Sequence, residues 1–165
     1  MDDCEALVGA FAEGMFPKVE WLRRGTGTRG QASAVRASLT QEIRKLCDAL
    51  APECLRPLVS QRATDAAQAI GVVLAEQTWQ TQTTFDPGRR VFHLEHVVPV
   101  ESVRARAIEA ASPKDIVRVL QGIRIAWILK EEDAELTRLG YGVRRPNPAA
   151  AYAEADIVFV AGRTS

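Results

Sequence analysis

Between residues 32 and 50 apolar side chains recur at intervals of three and four: Ala32, Val35, Leu39, Ile43, Leu46 and Leu50. Only a helix gathers that spacing onto one face. A stripe of that length has to be covered by other elements, so the chain around it is expected to supply further amphipathic helices. Residues 3–16 show the same periodicity, with Leu7, Val8, Phe11 and Met15 on one side and a break expected at Phe16-Pro17. Ala51-Pro52 ends the long helix, because the residue before a proline is pushed out of helical geometry. Residues 53–60 offer at most a short turn of helix, limited by Pro57. A further helix is predicted over residues 62–80, with Ala63, Ala66, Ala67, Ile70, Val73 and Leu74 inward. The polar run from Gln80 to Thr84 and the turn residues Asp86-Pro87-Gly88 then close the helical part.

The pattern changes at Val91. Val91 to Leu94, with Val97 and Val98, favours a strand cut by Pro99. Residues 102–111 read as a helix. Ser112-Pro113-Lys114-Asp115 supplies an N-cap, a proline at the first helical position and an acid in the first turn, opening a helix to about Gln121. Residues 123–129 read as a second strand. Residues 131–139 read as a helix stopped by Gly140, residues 149–155 as a last helix, and residues 157–160 as a small third strand. This order does not alternate as a doubly wound sheet would. The expectation is an α+β fold in one domain, residues 1–165, with a helical subregion over 1–85 and a small ββα-like subregion over 86–165.

Composition narrows the partners. The 165 residues carry 21 basic and 21 acidic side chains, so the whole molecule is not a polycation built for nonspecific nucleic-acid binding. Seventeen of the basic residues are Arg, whose planar fork suits carboxylates and phosphates. No apolar run is long enough to span a bilayer. The acidic start Met1-Asp2-Asp3-Cys4-Glu5 has the wrong sign for a secretory signal. Cys4, Cys47 and Cys54 have neither a CxxC partner nor a nearby His, so all three are expected reduced, in a cytoplasmic protein.

Three segments carry candidate chemistry. Gly25-Thr26-Gly27-Thr28-Arg29-Gly30 matches GxGxxG, but no buried strand precedes it and no βαβ unit follows, so a mobile loop is expected rather than a dinucleotide site. The histidines are His93 and His96. On a regular strand His96 would share a face with Phe92, Leu94 and Val98, as a packed residue would. A functional His96 requires the chain to leave strand geometry there, for which Pro99 is a reason. Glu131-Glu132-Asp133-Ala134-Glu135 crowds acids into a helix start, where they favour the helix dipole. Glu132 and Asp133 border the face that holds Leu136, so a carboxylate there could be aimed at the strands.

The pair Glu95-His96 followed by Pro99, and Ile125 to Asp133 running from strand into acidic helix, resemble the HNH, or ββα-metal, nuclease superfamily over residues 91–140. The resemblance implies His96 as the general base and Glu95 and Asp133 as ligands of a divalent cation, Mg²⁺ or Mn²⁺. It implies a metal-dependent endonuclease acting on nucleic acid, DNA in the first instance. The chain departs from the family where the helix lacks a ligating Asn or His and where a helical insertion separates the two strands. Independently of any family, phosphodiester hydrolysis calls for a base near neutral pKa and a hard cation held by carboxylates. Arg89, Arg90, Arg144 and Arg145 flank this segment and are expected to grip a nucleic-acid backbone. The helical half is expected to add nucleic-acid contacts or to form a homodimer. The alternatives are a non-catalytic helical interaction domain with a structural histidine, and a nuclease-derived protein that keeps nucleic-acid binding alone.

Overall fold

A computed structural model describes residues 2–160. The fold is α+β, with a helical N-terminal half and a small three-stranded sheet. The chain divides into two compact units. One takes the segment up to Leu50 together with Val100–Ile123, and the other takes Ala51–Pro99 together with the segment from Arg124 onward.

The first unit is four helices. Helix α1 (Asp3–Arg24) starts at Asp2, whose side chain accepts from Glu5 N, and ends at Gly25 in the left-handed region, φ 65°. It runs through Pro17, where the sequence predicted a break. The proline removes one backbone hydrogen bond and costs about 3 kcal/mol. The stripe of buried residues continues past it, through Val8, Ala12, Met15 and Val19. Burying each large member is worth roughly 1.5–3 kcal/mol, which outweighs the proline.

Helix α2 (Arg29–Leu50) is continuous, with Leu39, Ile43, Leu46, Cys47 and Leu50 buried, as the periodicity predicted. The glycine-rich stretch between α1 and α2 ends in a side-chain cap of α2. Thr28 Oγ1 accepts from Gln31 N while Gln31 Oε1 accepts from Thr28 N, at 3.2 and 2.8 Å, the reciprocal pattern of a capping box. A Cβ at Gly27 would lie 2.2 Å from the Trp21 ring, so this turn has no room for a larger residue. Helices α5 (Val100–Ile108) and α6 (Pro113–Gln121) complete the unit. Ser112 caps α6 as predicted. Arg104 donates to Thr40 on α2, and Arg23 on α1 donates to the carbonyl of Ala110.

The second unit is built on a sheet of order β1-β3-β2. Strand β2 (Phe92–His96) runs antiparallel to β3 (Ile125–Leu129), and the short β1 (Leu58–Val59) runs parallel to β3 on its other side. Strand β1 lies where at most a turn of helix was expected, and the predicted third strand at 157–160 contributes one bridge, Phe159 to Ser60. Helix α3 is only Gln61–Gln68, shorter than predicted, because Gly71 adopts φ 69°. Gly71 N and Val72 N turn back to Gln68 O and Ala67 O, a Schellman closure. A 3-10 turn at Leu74–Glu76 and the short α4 (Gln82–Phe85) fill the rest of the predicted helix and loop. Helices α7 (Lys130–Arg138) and α8 (Pro148–Glu154) follow β3.

The central strand is buried on both faces, which is why Ile125 to Ile128 is uniformly apolar. On one face Trp127 packs with Phe92, Val59, Ala63, Ala67 and Leu74. On the other, Ala126 and Ile128 pack with Leu136 of α7 and with Ala151 and Tyr152 of α8.

Cys47 is a buried free thiol, whereas Cys4 and Cys54 are disulfide-bonded, against the expectation of three reduced cysteines. Among the described residues no helix is long and apolar enough to cross a membrane.

Candidate metal centre

Strand register decides which side chains of β2 reach α7. His93 pairs with Ile128 and Glu95 with Ala126, so both project to the sheet face that α7 and α8 cover. Leu94 and His96 pair with Trp127 and Ile125 and project to the opposite face. Asp133 lies on the first turn of α7 and meets the first pair, not the second.

His93 Nε2 lies 3.1 Å from Glu95 Oε2 and 3.8 Å from Asp133 Oδ1. One ligand atom from each of the three residues lies within 4.8 Å of the others. Three donors at about 2.1 Å from one ion stand roughly 3 Å apart when adjacent and roughly 4.2 Å apart when opposite. The His93 separations fall within that range. The side chains are 27, 12 and 32% exposed for His93, Glu95 and Asp133, so the cluster is only partly shielded from solvent.

Two supports hold this arrangement from below. At the entry to β2, the buried Asp86 accepts from the backbone N–H groups of Arg90, Val91 and Phe92 and from Gln82 Nε2. At the start of α7, Glu132 Oε2 accepts from Ser60 Oγ and from Leu129 N, both at 2.7 Å. Glu132 is buried and fixes the helix start, which sets the position of its neighbour Asp133. Glu131 and Glu135 instead pair with Arg62 and Arg138 at the surface.

Glu95 is gripped from its far side. Arg145 Nη2 lies 2.7 Å from Glu95 Oε1, and the Arg145 side chain is 1% exposed. Burial alone would raise the pKa of Glu95. The hydrogen bond from His93 and the charge of Arg145 more than offset that and hold it below the ordinary carboxylate value.

The residues expected from the sequence divide accordingly. Glu95 and Asp133 come together. His96 does not join them: it stays in the strand through its pairing with Ile125, and its Nε2 is shielded from solvent. The chain leaves strand geometry only after His96, so alternation turns the ring away from Asp133. His93 lies beside Glu95 and Asp133 instead. Its signal was the spacing His93-x-Glu95, which puts both on one face of any regular strand. Arg145 is buried and directed inward, so it is not a grip for a nucleic-acid backbone. Arg89 is half-buried, with its guanidinium 3.8 Å over the Trp79 ring and an N–H donated to Trp79 O. Arg90 and Arg144 are exposed. No family model, curated protein or solved structure matches the chain.

Proposed function

We propose that this chain is a divalent-cation-dependent endonuclease, hydrolysing phosphodiester bonds of nucleic acid, with the cation held by His93, Glu95 and Asp133. The observation that carries the reading is the convergence of one imidazole and two carboxylates, from β2 and from the helix that follows its antiparallel partner. The cation supplies charge neutralisation at the phosphate and acidifies a water. The chain holds it: Glu95 is fixed by Arg145, Asp133 by the helix start at Glu132, and His93 by the strand. An imidazole nitrogen among the donors suits Mn²⁺ better than Mg²⁺, which prefers oxygen and water. Exposed Arg90 and Arg144 are the candidate phosphate contacts.

The Arg145–Glu95 pair favours a second reading. With Glu95 already charge-compensated by Arg145, the hydrogen bond between His93 and Glu95 can serve packing and orientation alone, with no cation. The chain would then be an interaction domain without catalysis.

Plasmid nicking by the pure protein with Mn²⁺, Mg²⁺ or EDTA separates the two. Nicking is expected with Mn²⁺ and none with EDTA. His93→Ala and Asp133→Ala are expected to abolish it, while Glu135→Ala and His96→Ala, where folded, keep cutting. Thermal stability should also rise with Mn²⁺, by about 2.7 kcal/mol at a hundredfold excess over the dissociation constant. That rise should vanish in Asp133→Ala. Equal stabilisation of wild type and Asp133→Ala, or nicking indifferent to EDTA, rules the site out.

A further inference from the structure

We propose that Arg145 is a positioning residue of this metal centre: it grips one oxygen of Glu95 so that the other faces His93 and Asp133. The inference rests on the proposed cation site and extends it to a residue that touches no ligand-binding atom other than through Glu95.

All five guanidinium N–H groups have acceptors. Nε and one N–H of Nη2 donate to Tyr141 O at 3.3 and 3.0 Å, and the other faces Glu95 Oε1 at 2.7 Å. Nη1 donates to the Tyr152 hydroxyl at 2.8 Å and to the carbonyls of Val97 and His96 at 3.2 and 3.3 Å. The last two carbonyls lie where β2 ends. Arg145 therefore fastens the strand end, the Glu95 side chain, α8 and the segment after α7 through one planar group. A guanidinium held at every donor cannot swing away, and neither can the carboxylate it holds.

The division of Glu95 between two partners gives the arrangement a direction. Oε1 is taken by Arg145, and Oε2 is left at 3.1 Å from His93 Nε2. Lysine at this position would keep the charge and lose the fork, since an ammonium is a point charge with three donors. Groups that orient metal ligands from behind typically account for about 10–100-fold in affinity.

The test is Mn²⁺ binding to the full chain by calorimetry, with melting temperature recorded for each variant. Wild type should bind one Mn²⁺. Arg145→Lys should bind about 10–100-fold more weakly, as should Glu95→Gln. The double variant should be little weaker than either single one, because Arg145 acts through Glu95. A merely structural arginine would lower the melting temperature and leave Mn²⁺ affinity intact, or add its loss to that of Glu95→Gln; either result overturns the proposal. If Arg145→Lys does not fold, Tyr152→Phe removes one acceptor of Nη1, and weaker Mn²⁺ binding is again expected, with wild-type affinity overturning it. Absence of Mn²⁺ binding by the wild type would defeat the cation site itself, and this inference with it. Binding by the wild type with indifferent variants would defeat only the role of Arg145.

Discussion

Asp86 shows how one side chain can set the position of a site it does not touch. Its two oxygens accept from three successive backbone N–H groups, Arg90 to Phe92, and from Gln82 Nε2. Burial alone would raise its pKa, but these four donors favour the charged form and bring it below the ordinary value. The folded pKa is therefore lower than the unfolded one, near 3.8. The stability it contributes is complete above that unfolded value and is lost as pH falls through the folded one. Asp86→Asn keeps the shape and loses the charge, and should destabilise by about 1–3 kcal/mol at neutral pH. Denaturant unfolding at a series of pH values checks it: the difference between wild type and variant should shrink below about pH 4. A difference that stays constant down to pH 2 would mean the charge contributes nothing.

At the scale of elements, what was legible in the sequence was whatever a single local rule decides. Helix α2 followed from spacing alone, α6 from its Ser112 cap, and the end of α7 from Gly140. Leu39 is fully buried on α2, so Leu39→Ala should cost about 2–5 kcal/mol in chemical denaturation. A loss well under 1 kcal/mol would mean that stripe is not a packed core. The misses came where two rules competed. Pro17 reads as a break, yet the apolar stripe on either side holds α1 through it. Periodicity carried the predicted helix from 62 through to 80, yet Gly71 closes α3 early by adopting φ 69°. The site was half legible for a related reason. Adjacent residues in a strand cannot face the same helix, so Glu95 with His96 was a choice between them. Pro99 pointed to an early exit from the strand, whereas the exit comes after His96. Arg145 had no local signal, because its burial depends on Tyr141, Tyr152 and Glu95 meeting around it.

At the scale of the whole molecule, charge limits how any nucleic acid can be held. Basic and acidic residues are equal in number, so a long-range field gives little attraction. Of the four arginines expected from the sequence to grip a backbone, Arg145 is withdrawn into the fold, which leaves Arg90 and Arg144 exposed and Arg89 stacked on Trp79. Each phosphate neutralised contributes about 0.9 to the slope of log affinity against log salt on duplex DNA. The two exposed arginines give a slope of about −1.8, and Arg89 as a third contact would bring it to about −2.7, or roughly a 40-fold loss of affinity between 50 and 200 mM salt. Binding of a short duplex, measured with Ca²⁺ in place of Mn²⁺ to hold back cleavage, gives that slope directly. Arg144→Ala should make it shallower by about 0.9, and Arg90→Ala likewise. Arg145→Lys should leave it unchanged even where metal affinity falls, since a buried group displaces no counterions. Arg89 is the informative case, because its guanidinium already lies on Trp79 and donates to the Trp79 carbonyl. A slope near −1.8 that Arg89→Ala does not alter would show that the stacking persists in the complex. A slope much steeper than −2.7 would place the nucleic acid on arginines elsewhere in the chain, and the face beside β2 and α7 would not be where the duplex lies.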